Sequence, residues 1–254
     1  MTDSLFDLEG KSIVVAGAAG GLGSVLSRAF AERGARLVLG DIDKAALDRL
    51  AANWPKDKST PPAHFITFDI RDEAANEALV GKASEAFGGV DGALNAAGVF
   101  ALAPALELPE AAFRDSLDVN VTGSLLFSRA ARKAMKRGGR IVHLASVSSF
   151  VANTKYAAYA SAKASLAHLI KVLAREWAPD GITVNGIGPA MVETQMIAPY
   201  LKDPAFRAAA LSVIPMGRFA VPEDLIGTAV LLLSEAGRFI TGQTICVDGG
   251  RTLV

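Results

Sequence analysis

The sequence is poor in the residues that mark several classes of protein. Its one cysteine, Cys246, allows no disulfide within the chain, which favours a reducing compartment such as the cytoplasm. Lys and Arg number 26, as do Asp and Glu, so we expect no basic face for a nucleic acid or a membrane surface. No apolar run reaches the roughly 18 residues of a membrane-spanning helix. The first residues are acidic and lack the positive charge of a signal peptide.

Histidine is also scarce, and the three present argue against a metal site. His64, His143 and His168 lie far apart in the sequence and match no spacing of metal ligands. Two fall in apolar runs and the third in a helical pattern, so we expect structural roles for them. No G-x-S-x-G pattern occurs, which leaves a hydrolase unsupported.

Short runs of Val, Ile and Leu alternate with helical patterns along the whole chain. Continuous apolar runs are typical of parallel strands that are covered on both faces. Their alternation with helices predicts a single α/β domain over residues 1–254, with one doubly wound parallel sheet and helices on both of its faces. The predicted strands are 12–16, 36–40, 64–68, 92–95, 140–145, 183–187 and 244–247, and the predicted helices are 22–33, 43–52, 73–87, 110–136, 157–177 and 222–234.

A glycine-rich turn follows the first predicted strand and opens a helix. It contains Gly17, Gly21 and Gly23, with Leu22 between the last two. Glycines there let the backbone approach a pyrophosphate, and the helix N-terminus offers free N–H groups to the phosphates. The turn therefore predicts a dinucleotide site, the alternative being a turn that binds nothing.

Asp41 follows the second predicted strand, 18 residues after Gly23. A carboxylate at this place can accept both ribose hydroxyls of an adenosine, and it repels a 2′-phosphate. Because no Arg or Lys occurs within the glycine turn or directly after Asp41, NAD is favoured over NADP. The alternatives for Asp41 are a helix N-cap or a solvated acid, although Asp43 is the better candidate for the cap.

The ends of the third and fourth predicted strands offer further contacts for a dinucleotide. Asp69 could bind the amino group of an adenine and Ile70 could lie against its face; a helix cap is an equally good interpretation. Asn95, Ala96 and Gly98 would let a ribose and a nicotinamide lie close above the sheet, with a tight turn as the alternative.

Tyr159 and Lys163 lie four residues apart in a predicted helix, so their side chains share one face. An ammonium beside a phenol is expected to lower the pKa of the phenol from about 10. Such a tyrosine can take a proton from a secondary alcohol or return one to an alkoxide. Ser146, after the predicted strand 140–145, can hold a carbonyl oxygen by a hydrogen bond.

Together these residues resemble those of the short-chain dehydrogenases/reductases of ordinary length, and the resemblance covers essentially the whole chain. It implies a seven-stranded Rossmann-type sheet of order 3-2-1-4-5-6-7 and chemistry without a metal. The motifs occur in the family's order: GAAGGLG (17–23), Asp41, DI (69–70), NAAG (95–98), Asn120 within VNVTG, Ser146, YASAK (159–163), VNGIGPA (184–190) and TGQTICVDGG (241–250).

The resemblance also implies a role for each site residue. Tyr159 would be the general acid/base, and Lys163 would bind the nicotinamide ribose and lower the pKa of Tyr159. Ser146 would orient the substrate oxygen, and Asn120 would hold a water that links Lys163 to solvent. The nicotinamide carboxamide would be held by three matching positions, Pro189, Val192 and Thr194.

The chain departs from the family pattern at three positions. Ala16, Ala96 and Ala190 stand where Thr, Asn and Gly are usual. Each exchange is between small residues, so the backbone roles are retained, although Ala16 and Ala96 lose side-chain hydrogen bonds.

The substrate pocket and the assembly can be predicted in outline. An irregular segment near 189–215 is expected to form a substrate lid. Two helical stretches, one of small residues (157–167) and one apolar over a wide arc (225–233), predict interfaces with other copies of the chain. The two-fold pairing usual in the family that the chain resembles implies a homotetramer. The expected pocket wall is formed by Phe150, Val151 and Tyr156. Asn153 and Lys155 could add polar contacts to a hydroxylated or anionic substrate, with simple exposure as the alternative for Lys155.

The sequence therefore predicts an NAD-dependent oxidoreductase that interconverts a secondary alcohol, such as a polyol or a sugar acid, and its ketone. One alternative is a reductase of 3-oxoacyl thioesters on an acyl carrier protein, which would dock on the basic run 129–137. The other is a nicotinamide-sensing protein without turnover. Asp41 argues against the NADPH preference of the first, and the complete catalytic set argues against the second.

Overall fold

The computed structural model describes residues 4–55, 60–136 and 138–254. Within them, seven strands form one parallel sheet of order β3-β2-β1-β4-β5-β6-β7, which confirms the predicted Rossmann-type topology. The strands are β1 (Ser12–Ala16), β2 (Arg36–Asp41), β3 (Ala63–Thr67), β4 (Gly92–Asn95), β5 (Arg140–Leu144), β6 (Thr183–Pro189) and β7 (Thr244–Val247).

The helices cover both faces of this sheet, and none of those described is long and apolar enough to cross a membrane. One face carries α1 and α9, and the other carries α3, α5 and α6. The helices are α1 (Gly21–Ala31), α2 (Lys44–Ala52), α3 (Glu73–Phe87), α4 (Glu110–Leu117), α5 (Gly123–Ala134), α6 (Ala157–Trp177), α7 (Ala198–Leu201), α8 (Pro204–Ser212) and α9 (Ile226–Leu233).

Neighbouring residues of β1 belong to different cores, which explains the unbroken apolar runs of the sequence. Ile13 and Val15 pack in the same cluster as Leu26 of α1. Val14, between them, packs in the cluster that contains Phe127 of α5. Successive side chains of a strand point to opposite faces, so a strand covered on both sides must be apolar at every position.

The predicted helix 110–136 is in fact divided into α4 and α5 by a π-helical turn, Asp118–Thr122. Asn120 lies in the middle of this turn. Such turns are rare, and the helical pattern over 110–136 gave no sign of one. The interruption matters for function because such turns often occur at functional sites.

Candidate active site

The carboxyl ends of the parallel strands meet at one edge of the sheet, where a cavity of about 340 Å³ opens. All four predicted catalytic residues, Asn120, Ser146, Tyr159 and Lys163, line this cavity. The lining also includes six of the predicted cofactor-binding residues: Leu22, Ala96, Gly98, Pro189, Val192 and Thr194. The fold thus brings the predicted chemistry and part of the predicted cofactor site into one space.

The glycine turn passes so close to other backbone that side chains would not fit. Gly17 has φ of +72°, and a Cβ on it would lie 2.5 Å from the backbone nitrogen of Ala97. A Cβ on Gly23 would lie 2.0 Å from the oxygen of Gly17. The residue before α1, Gly20, offers no side-chain cap, so the first N–H groups of that helix point to an uncapped end. This geometry fits the binding of a pyrophosphate.

Asp41 is tied to the glycine turn. Its carboxylate accepts hydrogen bonds from the backbone nitrogen of Ala19 at 2.9 Å and from that of Asp43 at 3.0 Å. Asp43, as expected, is the N-cap of α2 and accepts from Ala46 at 2.9 Å. The Asp41 carboxylate is therefore held beside the turn and is not needed as a helix cap.

Asp69 and Ile70 are engaged within the chain. The Asp69 carboxylate pairs with Arg71 at 2.6 Å, and the hydrogen bond from that guanidinium lowers the carboxylate's pKa. The Ile70 side chain is buried against Gly123 at the start of α5, where a Cβ would lie 2.8 Å from it. Neither residue lines the main cavity, and their contact with an adenine stays a prediction.

Asn95 lies beneath the cavity rather than in its wall, and it connects to a buried network that the sequence did not reveal. Its Nδ2 donates to Ser124 at 2.9 Å and lies 3.4 Å from Nδ1 of His143, while its Oδ1 accepts from the nitrogen of Ala97 at 3.0 Å. Nε2 of His143 lies 3.0 Å from Ser128. The network supports the 95–98 segment. Because His143 is buried within it, the pKa of His143 is lowered to about 3.

Tyr159 and Lys163 face the cavity from α6, but the lysine does not act on the phenol as expected. The Lys163 ammonium lies 5.7 Å from the centre of the Tyr159 ring and donates to the backbone oxygen of Leu144 at 2.7 Å. Burial raises the pKa of Tyr159 to about 12, and the hydrogen bond with Ser146 acts in the opposite direction. The expected lowering of this pKa by Lys163 is therefore not seen, because the ammonium is directed at Leu144.

Asn120 presents an unsatisfied acceptor next to Lys163. Its Nδ2 donates to the oxygens of Ser116 at 2.9 Å and Val99 at 3.1 Å. Its Oδ1 is buried and has no hydrogen-bond partner within the described part of the chain. A Cβ on Gly98 would lie 2.7 Å from this Oδ1 and 3.6 Å from Nζ of Lys163, so both polar groups approach one point. A buried amide oxygen without a partner can accept a hydrogen bond from an ordered water.

An aromatic cluster around Phe100 forms one side of the site. The Phe100 ring stands edge-on to Tyr159, Tyr156 and Tyr200, with centroid distances of 4.8, 5.4 and 5.3 Å. Phe206 of α8 extends the cluster to the 189–215 segment. Sequence reasoning missed Phe100, although its place two residues after Gly98 could have suggested it.

The predicted pocket wall is only partly correct. Tyr156 and Asn153 line the cavity, but Phe150, Val151 and Lys155 do not. Phe150 is 53% exposed, whereas Val147 and Ser148 of the short 3-10 turn before it, Val147–Ser149, line the cavity. Lys155 is exposed.

A second cleft lies next to the glycine turn and contains two arginines that the sequence analysis did not consider. Arg28 of α1 and Arg49 of α2 line it together with Ala19. Arg28 donates to the backbone oxygen of Asn53 at 3.1 Å. No group of three or more His, Cys, Asp or Glu residues in the described ranges has the geometry of a metal site.

A protein-family model described as "Enoyl-(Acyl carrier protein) reductase" matches residues 17–252. Several relatives and solved structures of similar length are described as dehydrogenases. The chain belongs to the short-chain dehydrogenase/reductase family, which confirms the resemblance read from its motifs.

Particular relatives indicate the range of substrates. The chain is 36% identical to the D-threitol dehydrogenase of Mycolicibacterium smegmatis, over 98% of this chain and 95% of that one. A solved structure described as a "putative gluconate dehydrogenase" from Agrobacterium tumefaciens superposes with a TM-score of 0.93 and is 31% identical, covering 98% of this chain and 99% of that one.

Two others bear on the cofactor. The NAD-dependent glycerol dehydrogenase of Listeria innocua is 33% identical over 99% of this chain and 97% of its own length. A structure described as a "putative 2-deoxy-d-gluconate 3-dehydrogenase" from Agrobacterium tumefaciens, with bound NADP, is 32% identical with a TM-score of 0.88, over 99% of this chain and 100% of that one.

Proposed function

We propose that this protein is an NAD-linked dehydrogenase that interconverts a secondary alcohol and its ketone, with Tyr159 as general acid/base. The observation that carries the proposal is the meeting of Ser146, Tyr159, Lys163 and Asn120 in one cavity that begins at the glycine turn. The whole chain would act as one catalytic domain. When bound, the nicotinamide supplies the hydride acceptor for the alcohol carbon.

The residues of the chain supply the proton chemistry. Ser146 donates a hydrogen bond to the substrate oxygen and holds it beside the Tyr159 phenol. Tyr159 takes the proton of the alcohol during oxidation and returns one during reduction. Lys163 and the unsatisfied Oδ1 of Asn120 form the start of a water-mediated route for that proton to solvent.

The cofactor would be held by the glycine turn, by the ends of the strands and by the start of the 189–215 segment. Thr194 supports this arrangement because its side chain lies against the turn: a Cβ on Gly21 would come 3.0 Å from it. Asp41 and the NAD-dependent relative favour NAD. The 189–215 segment would be the lid, since Met196, Ile197 and Phe206 line the cavity from above the sheet edge.

The carrier-protein alternative is weakened at its docking surface. Arg129, Arg132 and Lys133 of the basic run form ion pairs with Glu73, Asp180 and Glu77 of the same chain. Arg137, the last residue of the run, lies outside the described residues. Lys136 is exposed. Because three of its cations are engaged within the chain, the run offers less charge to an acidic partner, so a small alcohol or ketone remains the favoured substrate.

We also propose a homotetramer in the cytoplasm. Small side chains of α6, those of Ser161, Ala164 and Ser165, are exposed and would let a second copy of this helix approach closely. The helix α9 turns most of its apolar residues into its own core, so it offers less surface than the sequence suggested. Light scattering should give four times the chain mass of 26.4 kDa; a monomer would contradict the proposal.

The proposed reaction is tested by the absorbance of reduced nicotinamide. Purified protein is mixed with NAD and a panel of polyols, sugar acids, hydroxysteroids and 3-hydroxyacyl thioesters. At least one class should reduce NAD, faster as the pH rises because the base form of Tyr159 is needed. Tyr159→Phe should lower this rate by about 10²- to 10⁴-fold.

The matched control is Tyr200→Phe, which removes a hydroxyl from the same aromatic cluster without touching the cavity lining. It should keep nearly full activity. If Tyr159→Phe were folded and fully active, Tyr159 would not be the acid/base. If NADH bound but no class reduced NAD, the sensing alternative would be favoured.

A further inference from the structure

The cavity contains a second cation besides Lys163, and the C-terminal turn places it there. Arg251 lies in the short 3-10 turn Arg251–Leu253 and lines the cavity together with Asn153 and Tyr156. Gly249 and Gly250 precede it with φ of +59° and +90°, which bend the chain back after β7.

Close packing fixes this bend. A Cβ on Gly249 would lie 2.9 Å from Ile214, and one on Gly250 would lie 3.0 Å from Pro215. Asp248 holds the turn by accepting from the backbone nitrogens of Gly250 at 3.1 Å and Thr252 at 2.8 Å. The position of Arg251 against the end of the 189–215 segment is thus built into the fold.

The hydrogen bonds of Arg251 leave much of its guanidinium unused. Nη2 donates to Oδ1 of Asn153 at 3.0 Å, and Nη1 donates to the backbone oxygen of Val254 at 3.1 Å. The Asn153 acceptor is neutral, whereas the Val254 oxygen belongs to the last residue of the sequence, whose carbonyl group is part of a carboxylate. No side-chain carboxylate in the described ranges forms an ion pair with the guanidinium. A guanidinium has about five N–H donors in a planar fork that matches a carboxylate, so a bidentate partner can still be accepted.

The charged side chains that line the cavity are all positive. Of the residues that line it, Lys163 and Arg251 are cationic, and none in the described part of the chain is acidic. The positive charge of Arg251 acts on Tyr156, where it lowers the phenol pKa against the larger raising effect of burial. A cleft with charge of one sign concentrates ligands of the opposite sign.

We propose that Arg251 binds the carboxylate of a hydroxy-acid substrate, so that the protein prefers sugar acids to neutral polyols. Asn153 is a positioning residue that holds the guanidinium toward the cavity. This assignment rests on the proposed alcohol–ketone chemistry and adds to it the charge of the substrate. Arg251 follows directly after the motif 241–250, and the sequence by itself gave it no role.

The test compares sugar acids with the polyols that differ only at one end. Aldonates of four to six carbons, such as D-gluconate, are paired with their alditols, such as D-glucitol. In the unchanged protein, kcat/KM with NAD should be at least about tenfold higher for an aldonate than for its alditol. In Arg251→Gln that ratio should fall by about 10- to 100-fold, mainly through KM.

Two further variants separate charge from structure. Arg251→Lys keeps the charge without the planar fork and should restore the ratio in part. Lys155→Gln removes an exposed cation near the cavity and should leave the ratio as it is. The proposal would be overturned if Lys155→Gln lost the preference for the aldonate over its alditol. It would also be overturned if Arg251→Gln kept the aldonate-to-alditol ratio of the unchanged protein.

A binding measurement distinguishes the failure of this assignment from the failure of the proposed reaction. The thermal unfolding midpoint of the NAD-loaded protein should rise with an aldonate more than with its alditol, and Arg251→Gln should abolish the difference. If this pattern were found without any NAD reduction, the reaction would be wrong and the carboxylate site correct. If alditols reduced NAD but aldonates showed no Arg251-dependent stabilisation, the carboxylate site would be wrong.

Discussion

The ammonium of Lys163 donates a 2.7 Å hydrogen bond to the backbone oxygen of Leu144, at the end of β5. The lysine is only 5% exposed, and burial lowers its pKa to about 8. A cation kept in the interior costs stability, since the charged form prefers water. The structure therefore holds a destabilising group at the place where the proposed chemistry needs a positive charge.

Lys163→Met is expected to inactivate the protein and to stabilise it. At pH 7 the lysine is charged in both states, because its pKa is about 8 when folded and 10.5 when unfolded. The cost of burial is present below pH 8 and is relieved as the pH rises from 8 to 10.5. At pH 7, urea unfolding should show a gain of roughly 1 kcal/mol after the lost hydrogen bond is counted. Alcohol oxidation should fall by about 100-fold or more.

Lys171→Met is the matched control, because Lys171 is exposed on the same helix. It should change neither the activity nor the free energy of unfolding by more than about 0.5 kcal/mol. A Lys163→Met protein less stable than the unchanged one at pH 7 would contradict the argument.

Asp41→Ala is expected to narrow the preference for NADH over NADPH. The Asp41 carboxylate, which lies beside Ala19, repels a 2′-phosphate. Once this carboxylate is removed, Arg28 and Arg49 of the neighbouring cleft can bind the phosphate. Fluorescence titration with both reduced cofactors should show the ratio of the two Kd values reduced by about tenfold or more.

Asp43→Ala is the control for this ratio, since Asp43 caps α2 and lies two residues away. Its loss should cost about 1 kcal/mol of stability without changing the ratio. Tighter binding of NADPH than NADH by the unchanged protein would show that Arg28 and Arg49 outweigh Asp41.

Gly23→Ala is expected to abolish NADH binding and to destabilise the protein. The new Cβ would lie 2.0 Å from the oxygen of Gly17, which is backbone and cannot rotate away. Gly81→Ala makes the same change within α3, where nothing lies within 4 Å of the new atom. That control should gain roughly 0.5–1 kcal/mol from helix propensity and keep its NADH affinity. Equal NADH affinity in both variants would rule out the glycine turn as the phosphate site.

His143 is expected to make the fold sensitive to mild acid. Nδ2 of Asn95 can only donate, so Nδ1 of His143 must accept and the ring stays neutral. The pKa is about 3 in the folded protein and 6.5 in the unfolded chain, so stability is complete above pH 6.5 and is lost as the pH falls toward 3. Between pH 7.5 and 5.5 the free energy of unfolding should fall by about 1.4 kcal/mol from this group.

In His143→Asn, this fall in the free energy of unfolding between pH 7.5 and 5.5 should be absent, whatever the stability of the variant at pH 7.5. His168→Asn, in which an exposed histidine of α6 is replaced, should retain it. Urea unfolding of the three proteins at both pH values gives the comparison. An unchanged pH dependence in His143→Asn would show that another group titrates.

Much of the fold could be predicted because its signals are local. The apolar runs gave all seven strands to within two residues, since strands covered on both faces must be apolar throughout. The π turn at Asn120 was not predicted, because such turns are rare and the pattern over 110–136 is typical of a helix. The pocket wall was partly wrong as well, since Val147 and Ser148 of the 3-10 turn before Phe150 line the cavity in its place.

The sequence by itself determined the family and the sheet order and predicted the catalytic residues, because these depend on residue types at fixed spacings along the chain. The tertiary structure decided which groups share a cavity and how they act on one another. In the folded chain, Lys163 donates to Leu144 rather than to the Tyr159 phenol, and Phe100 packs against the Tyr159 ring. Arg251, near the end of the sequence, lines the same cavity. Charge and burial act through space, so their effects on pKa and on substrate choice appear only once the chain is folded.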